Sequence, residues 1–352
     1  MLATTVAFAQ ANVSNVSQSG TSNGSTVLQV GSANSSSVTQ DGAVGPLSGL
    51  SNISDVDQNG ATNIAVVGQH GDTNEGFVEQ DGNLNNATID QGTGQAQSNY
   101  ATTTQDGDNN TSLQKQRFDN NDAFITQVGD GNNALQDQNS GPNGSAGNYA
   151  LASQNGDSNI SIQRQNGSSN QERVYQVGDD HWARQRQTGN SNIARADQGK
   201  SGNSSDQLQN GNSNYAQAWQ NDSNNGGDNT SVQTQTGDNN NATVDQGIGS
   251  PDTTNSMAEQ VQTGNLNVAY AEQNGDDNDS YQSQVGDGNY ANHNQTGNMN
   301  DADTYQTGNG HDSYITQNGN SNDALTTQSG SLHLSTVTQL GNMNVSTVTQ
   351  SN

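Results

Sequence analysis

The sequence has few of the residues on which most folds depend. It contains no cysteine, so disulfide scaffolds, thiolate metal sites and cysteine nucleophiles are excluded. Hydrophobic residues make up 26% of the chain and aromatic residues 4%, whereas ordinary globular domains are about 45–50% apolar. No stretch approaches the ~20 apolar residues that span a bilayer. We therefore expect neither a set of conventional hydrophobic cores nor insertion into a membrane.

Positive charge is also scarce. The 352 residues include 8 Lys and Arg against 35 Asp and Glu, which gives a formal net charge of −27. Such a chain repels polyanions, so we expect nucleic acid not to be a partner. All basic residues lie between Lys115 and Lys200, and acidic regions flank this segment on both sides.

The first nine residues have the pattern of an export signal. A short apolar run ends in Ala7-Phe8-Ala9, a small-x-small pattern, before Gln10. We interpret residues 1–9 as the remnant of a signal peptide; the alternative is an ordinary first strand. Residues 10–352 are then predicted to form a single repeat domain of a secreted protein.

An eleven-residue repeat occupies most of the chain. Glutamine recurs at this spacing in 29 copies, without interruption from Gln262 to Gln350. Asn stands six residues before the Gln in 25 copies, Ala or Ser usually stands four before it, and Gly usually two after it. Loop insertions interrupt the spacing near 43–51, 92–98, 139–147, 222–228 and 247–255. Pro46, Pro142 and Pro251 fall within three of these insertions, where no sheet hydrogen bond is lost.

The spacing within the repeat predicts strands. Asn, Ala or Ser, an unnamed inward position and Gln follow one another at intervals of two, and alternate residues of a strand share one face. The Gly then supplies a tight turn. From Gln114 to Gln282 the unnamed position alternates between Gln and Ala, Val or Ile, so the true period is 22 residues. We predict an all-β fold, a β-solenoid of about 29 short strands with two strands per 22-residue rung, stacked in a cross-β arrangement.

Stacked rungs place identical side chains above one another, so amides can hydrogen-bond along the stack. Because the inward residues are small, backbone and amide ladders rather than apolar burial must supply most of the stability. The clearest ladder positions are Asn267, Ala269, Gln273, Gly275, Asn278, Ser280, Gln284, Gly286, Asn289, Ala291 and Gln295. The repeat continues in phase close to both ends of the chain, and uncapped strand edges favour self-assembly. The predicted polymerisation edges are Asn12, Ser14 and Gln18 at one end and Asn344, Ser346, Val348 and Gln350 at the other.

This unit resembles the curlin repeat of bacterial curli subunits. The segment Gln262-Thr263-Gly264-Asn265-Leu266-Asn267-Val268-Ala269-Tyr270-Ala271-Glu272-Gln273 fits the family pattern Gln-x-Gly-x-x-Asn-x-Ala-x-x-x-Gln position by position, and Gln317 to Gln328 fits it again. The resemblance extends from about Asn12 to the end of the chain. It implies a secreted subunit of an extracellular amyloid fibre at the bacterial cell surface, similar to the major curli subunit, that serves in biofilm matrix, adhesion and surface attachment. It further implies a nucleator subunit and an outer-membrane export pore as partners besides the chain itself.

Other features of the sequence follow the repeat. We expect no enzymatic activity and no catalytic, cofactor-binding or metal-binding residues, because the histidines fall at repeat positions and no catalytic motif is present. His181, His311 and His333 replace the repeat Asn, His293 stands at the unnamed inward position, and His70 is expected in a turn. Outward aromatic residues are candidates for lateral or surface contacts: Tyr100, Tyr149, Trp182, Tyr215, Trp219 and Tyr290. Glu172 occupies an inward Ala or Ser position without an explanation.

Two other functions remain open. Acidic turns such as Gly129-Asp130-Gly131-Asn132 could bind calcium weakly, which leaves a monomeric, calcium-dependent adhesive solenoid as an alternative. An ice-binding solenoid would need a flat threonine ladder. Thr336, Thr338, Thr347 and Thr349 form only a fragment of such a ladder.

Overall fold

The computed structural model describes residues 11–42, 49–141, 144–220, 226–247 and 253–352. These residues form two compact units, unit 1 up to Gly147 and unit 2 from Asn148. Residues 1–9 and the three prolines lie outside the described residues, so the signal-peptide prediction stays a prediction. The described part of the chain has no helix that is long and apolar enough to cross a membrane.

Unit 1 consists of parallel strands that alternate between two sheets. Its strands are β1 (Val13–Gln18), β2 (Gly24–Ser32), β3 (Ser35–Asp41), β4 (Ile53–Ala61), β5 (Ile64–Asp72), β6 (Glu75–Asn83), β7 (Asn86–Gln97), β8 (Tyr100–Asp106), β9 (Thr111–Arg117), β10 (Asp122–Val128) and β11 (Asn133–Asn139). The odd-numbered strands pair in chain order in one sheet and the even-numbered strands in the other. The predicted insertion near 92–98 lies largely within β7, where the register shifts between Gln69 and Gly71 of the neighbouring strand.

Unit 2 repeats this arrangement. Its strands are β12 (Tyr149–Asn155), β13 (Ile160–Asn166), β14 (Gln171–Asp179), β15 (Trp182–Thr188), β16 (Ile193–Ser201), β17 (Ser204–Asn210), β18 (Tyr215–Gln220), β19 (Thr230–Thr236), β20 (Asn241–Gln246), β21 (Met257–Thr263), β22 (Val268–Asn274), β23 (Asp279–Val285), β24 (Tyr290–Thr296), β25 (Asp301–Asn309), β26 (Asp312–Asn318), β27 (Asp323–Ser331), β28 (Leu334–Leu340) and β29 (Val345–Ser351). Consecutive strands again lie in opposite sheets, and each pairs in parallel with the strand two positions later in the chain. The predicted all-β solenoid with two strands per rung is confirmed.

Alternation of side chains along each strand decides what is buried. On β23, for example, Ser280, Gln282 and Gln284 are buried, whereas the intervening residues face outward. The interior is narrow and contains mostly Ala, Ser, Gln and Asn. The repeat's period of two therefore separates a polar, close-packed interior from two outward faces in each unit.

Most turns contain two residues with positive φ. The sequence predicted one of them, the glycine after the repeat Gln. Where a described glycine stands two residues after the repeat Gln, its φ is positive and often near +120° (Gly264 +117°, Gly286 +120°). A Cβ atom on Gly286 would overlap the carbonyl oxygen of Gly308 in the next rung. In most turns the residue before the repeat Asn is also left-handed, and non-glycine residues such as Leu266 (φ 59°) and Met299 (φ 59°) occupy this position.

Candidate functional site

The repeated glutamines form continuous hydrogen-bonded ladders. Gln262 Nε2 donates to Gln284 Oε1 at 2.9 Å, and Gln284 Nε2 donates to Gln306 Oε1 at 3.0 Å. In the facing sheet, Gln273 Nε2 donates to Gln295 Oε1 at 3.0 Å. All of these side chains are buried. Each amide therefore repeats the contact of the amide one rung earlier in the chain.

The same glutamines also link the two sheets. Gln284 Nε2 donates a second hydrogen bond to the carbonyl oxygen of Val268 in β22 at 2.9 Å. Gln295 Nε2 donates in the same way to the carbonyl oxygen of Asp279 in β23 at 2.6 Å. Each repeat Gln thus hydrogen-bonds both the next Gln of its ladder and the backbone of the facing strand. This double role explains why no other residue type replaces Gln at this position.

The asparagines support the turns more than they stack on one another. Asn267 Nδ2 donates to the carbonyl oxygen of Gly286 at 2.8 Å, and Asn267 Oδ1 accepts the backbone N–H of Asn289 at 3.0 Å. Asn278 binds the carbonyl oxygen of Gly297 at 2.7 Å in the same manner. Side-chain contacts between asparagines occur only in some rungs, such as Asn300 Nδ2 to Asn278 Oδ1 at 3.0 Å. The buried asparagine therefore satisfies a turn carbonyl that would otherwise lack a donor.

Small residues complete the interior. Ala269, Ser280 and Ala291 are fully buried, and Ala258 and Ser280 are register partners in adjacent strands. Gly275 has φ +118°, and a side chain there would overlap Gly297 of the next rung. The structure thus brings together the ladder residues that the sequence predicted in β22, β23 and β24 and in the turns beside them.

The predicted polymerisation edges lie in strands that have one neighbour each among the described residues. β1, with Ser14 and Gln18, pairs with β3, and Gln18 Nε2 donates to Gln40 Oε1 at 2.6 Å. Asn12 Nδ2 donates to the carbonyl oxygen of Gln29 at 3.3 Å. At the other end, β29 pairs with β27. Asn344 Nδ2 donates to Asn322 Oδ1 at 2.8 Å, and Gln350 Oε1 accepts from Gln328 at 2.9 Å, while Ser346 and Val348 face the interior side of β29.

The histidines take structural positions in the ladders. His293 is fully buried, and its ring nitrogens contact Ser280 Oγ and Thr304 Oγ1 at 2.8 Å each. This burial lowers the pKa of His293 to about 3, so its ring is neutral at physiological pH. His311 and His333 replace asparagines, and their rings stack with centroids 5.1 Å apart. His70, expected in a turn, lies in β5 beside Asp41, 2.5 Å from Nδ1 to Oδ1.

Carboxylates in the turns act as hydrogen-bond acceptors. Asp130 Oδ1 accepts the backbone N–H of Asp108 at 2.8 Å, and Asp276 Oδ1 accepts that of Thr254 at 3.1 Å. Asp277 Oδ1 accepts from Asn255 Nδ2 at 2.8 Å. Among the described residues, no three His, Cys, Asp or Glu side chains are placed to hold a metal ion. The geometry thus gives these turn carboxylates a structural role.

The threonines proposed as an ice-binding fragment are divided between two sheets. Thr336 and Thr338 lie on β28 and pair with Tyr314 and Thr316, whereas Thr347 on β29 pairs with Leu325. Thr349 pairs with Thr327. Each threonine row is therefore only two strands long, because Asn294 follows Thr316 and Tyr305 follows Thr327 on the next strands.

Outward aromatic and basic residues are concentrated in the first strands of unit 2. The Arg173 guanidinium lies over the Tyr149 ring and that of Arg184 over the Trp182 ring, 5.3 and 5.2 Å from the centroids. Trp219 Nε1 donates to Asp197 Oδ2 at 2.8 Å. Aromatic residues also stack between adjacent strands, as in Tyr290 with Tyr314. The contact of Arg184 with Trp182 lies within β15, whereas the others join neighbouring rungs along the outer surface.

Acidic residues follow one another on the odd-numbered strands at the far end of unit 2. Asp279, Asp301 and Asp323 are register partners on β23, β25 and β27. Burial, followed by the charges of Asp303, Asp279 and Asp323, raises the pKa of Asp301 to about 6. The carboxylates therefore repel one another at neutral pH.

Glu172 is a buried acid in the interior of unit 2. It is fully buried between Ala150 and Ala194 of the adjacent strands, and neither carboxylate oxygen has a hydrogen-bond partner within the described residues. Burial raises the pKa of Glu172 well above its usual value. The side chain thus weakens the rung in which it lies, unless it is protonated.

These observations define a β-solenoid repeat protein. The family model described as the curlin associated repeat matches residues 12–42, 297–325 and 319–351. The chain therefore contains curlin repeats in these segments, as its sequence resemblance predicted, and the curlin family consists of structural proteins. No curated protein sequence matches this chain.

Proposed function

We propose that this protein is the structural subunit of an extracellular, curli-like amyloid fibre that grows by addition of β-solenoid rungs. Curlin-family proteins are extracellular curli subunits, and the ladders described above repeat one set of contacts from rung to rung. In this role the protein serves biofilm matrix, adhesion and attachment at the bacterial cell surface. Its partners are further copies of the chain, together with a nucleator subunit and an outer-membrane export pore.

One observation carries the proposal: within each unit, the glutamine ladder bonds between described residues run in the same direction along the chain. Gln18 donates to Gln40 in the first strands of unit 1, and Gln328 donates to Gln350 in the last strands of unit 2. Among the described residues, Gln350 Nε2 donates to a backbone carbonyl, that of Leu334, and to no further glutamine. Gln18 accepts from no glutamine in that part of the chain. The two ends thus offer a donor and an acceptor that complement each other.

Such polarity favours addition of copies in one orientation. A new rung beside β28 and β29 would extend the backbone and the amide ladders together, and aligned amides polarise one another favourably. Each added rung contributes nearest-neighbour contacts, so stability increases with the length of the stack.

The purified chain can be tested directly by negative-stain microscopy and fibre diffraction. We expect unbranched filaments and a meridional reflection at ~4.8 Å, the spacing between strands, and we expect both to persist in excess EDTA. Sonicated filaments should shorten the lag of fresh protein. A chain that stays monomeric at high concentration would contradict the proposal, and filaments that dissolve on chelation would favour the calcium-dependent alternative.

A further inference from the structure

The outward surface of the odd-numbered strands in unit 2, here called the odd face, has opposite charges at its two ends. At one end, β13 and β15 carry Arg164, Arg184 and Arg186. At the other end, β23, β25 and β27 carry aspartates and no basic residue. The strands between them carry Leu208, Val232 and Val261 together with two acids, Asp206 and Glu259. Asp206 contacts both Arg184 and Arg186.

We propose that the odd face binds the odd face of a second copy of this chain, with the two stacks antiparallel, and so pairs filaments laterally. The proposal rests on the proposed function where filaments are concerned. The contact is two-fold symmetric, so each copy supplies one basic and one acidic end and both charged contacts form twice.

The residues of β15 and β25 match in this arrangement. A two-fold axis parallel to the strands reverses the stacking direction but keeps the strand direction, so equivalent positions face each other. Trp182, Arg184 and Arg186 of one copy then face Asp301, Asp303 and Tyr305 of the other. The indole N–H of Trp182 then meets the carboxylate of Asp301, and Arg184 forms an ion pair with Asp303. The guanidinium of Arg186 lies over the ring of Tyr305.

Each of these contacts already has a counterpart within the chain. Trp219 donates its indole N–H to Asp197, Arg184 binds Asp206, and the Arg195 guanidinium lies 5.7 Å from the Tyr175 ring centroid. The acidic end also gains from a cationic partner, because its stacked carboxylates repel one another. A guanidinium against Asp301 and Asp303 relieves that repulsion.

The size of the contact is sufficient for a specific interface. The six odd-numbered strands from β15 to β25 span ~29 Å at ~4.8 Å per strand, and seven residues of strand span ~23 Å. Two such faces together bury roughly 1,300 Å², within the range of stable protein–protein interfaces. Along a filament the contact recurs at every subunit, so weak individual contacts give strong pairing. This match of charge and pattern favours a second copy over other occupants.

Complementary charge reversals test the proposal. The first variant carries Arg184→Glu and Arg186→Glu, and the second carries Asp301→Lys and Asp303→Lys. Each variant alone places like charges together at both contacts, so we expect filaments of single width by negative-stain microscopy where wild-type filaments are paired. When the two kinds of preformed filament are mixed, both contacts become complementary again, and pairs should reform. The matched control is Arg173→Glu with Arg195→Glu on the even-numbered strands, which should leave pairing unchanged.

Four outcomes would contradict the lateral pairing. Wild-type filaments that do not pair, single variants that pair like the wild type, a mixture that stays unpaired, or a control that abolishes pairing would each overturn the proposal. If no variant or wild-type chain forms filaments, the proposed function fails instead. The interface is then measured by sedimentation of the soluble chain. Each single variant should dimerise at least about tenfold more weakly than the wild type, and the mixture of the two variants should recover wild-type dimerisation. Unchanged dimerisation in both variants would also contradict the proposal.

Discussion

Unit 1 and unit 2 use the same backbone around different interiors. In the early strands of unit 1, Val38, Val67 and Ile89 are successive register partners in one sheet, and Val56 and Val78 are register partners in the facing sheet. All are buried in one apolar cluster. This part of unit 1 is therefore a thin conventional core between two amide ladders.

The central strands of unit 2 place a second amide ladder at the same position. Gln185 donates to Gln207 and Gln207 to Gln233, at 2.8 and 2.7 Å, and Gln207 also donates to the carbonyl oxygen of Arg195 at 2.8 Å. The facing strands carry Ala196 and Ala218 there, both buried. The comparison shows that an apolar row and a fully hydrogen-bonded amide row are alternative solutions for one backbone, provided that each row is continuous.

The largest effect should come from a feature that both interiors share, the glycine of the turn. Gly60 in unit 1 and Gly286 in unit 2 have φ +119° and +120°, and a Cβ atom on either would overlap a carbonyl oxygen of the next rung. We expect Gly60→Ala and Gly286→Ala to lower the free energy of unfolding by about 4 kcal/mol each. Guanidinium denaturation followed by circular dichroism measures this.

The control for the turn is Gly288→Ala. Gly288 has φ +66° and no atom within 4 Å of a Cβ position, so the loss should be only about 1 kcal/mol. If Gly60→Ala were tolerated and Gly286→Ala were not, the two units would differ in their turns as well as in their interiors.

A reciprocal exchange of interior residues tests the comparison itself. Gln207→Val leaves the amide of Gln185 without its acceptor, and Val67→Gln places an amide between Val38 and Ile89 with no ladder partner. Each should cost about 3 kcal/mol, because a buried polar group loses or lacks its hydrogen bonds.

The matched control for this exchange is Gln171→Val at an outward position of β14, where we expect a change within about 0.5 kcal/mol. Two interior variants as stable as the wild type would mean that continuity of the rows does not matter. The same denaturation measurement distinguishes these outcomes.

The sequence was sufficient to predict the strands and the buried ladder because both follow from spacing. Gln recurs every eleven residues and inward residues every second one, and a strand is the structure that places such residues on one face. The identity of the ladder bonds, such as Gln262 to Gln284, then follows from stacking rungs in register.

Other features left no signal in the pattern. The left-handed residue before each Asn is Leu266 in one turn and Met299 in another, and neither type indicates positive φ. The bond from Gln284 to the carbonyl oxygen of Val268 depends on how closely the two sheets approach, and the pairing of residues within one sheet does not fix that distance. The role of Asn267 in binding a turn carbonyl was missed for the same reason, although the constant interval from Gly264 to Asn267 hinted at a turn of fixed shape.

The smallest effect that we predict is a gain in stability, at a place where a carboxyl group replaces the usual small inward residue of unit 2. Glu172 lies between Ala150 and Ala194, with both oxygens unpaired in the described part of the structure. Burial raises the pKa of Glu172 in the folded chain above its value in the unfolded chain. The folded state therefore holds the proton more strongly, and stability falls as pH rises above the unfolded pKa of about 4.3. Glu172→Ala should stabilise the chain by roughly 1–2 kcal/mol at pH 7 and have less effect near pH 4.

Denaturation midpoints measured from pH 4 to pH 8 test this prediction, with Glu79→Ala at an exposed position of β6 as the matched control. The denaturation midpoint of the wild type should fall with rising pH relative to that of Glu172→Ala. The midpoint of Glu79→Ala should change with pH in the same way as that of the wild type. Equal midpoints for Glu172→Ala and wild type across the whole range would show that this carboxyl group is accommodated as well as an alanine. An interior built from amide ladders would then tolerate an unpaired acid, contrary to the requirement, common to both units, that each interior row be continuous.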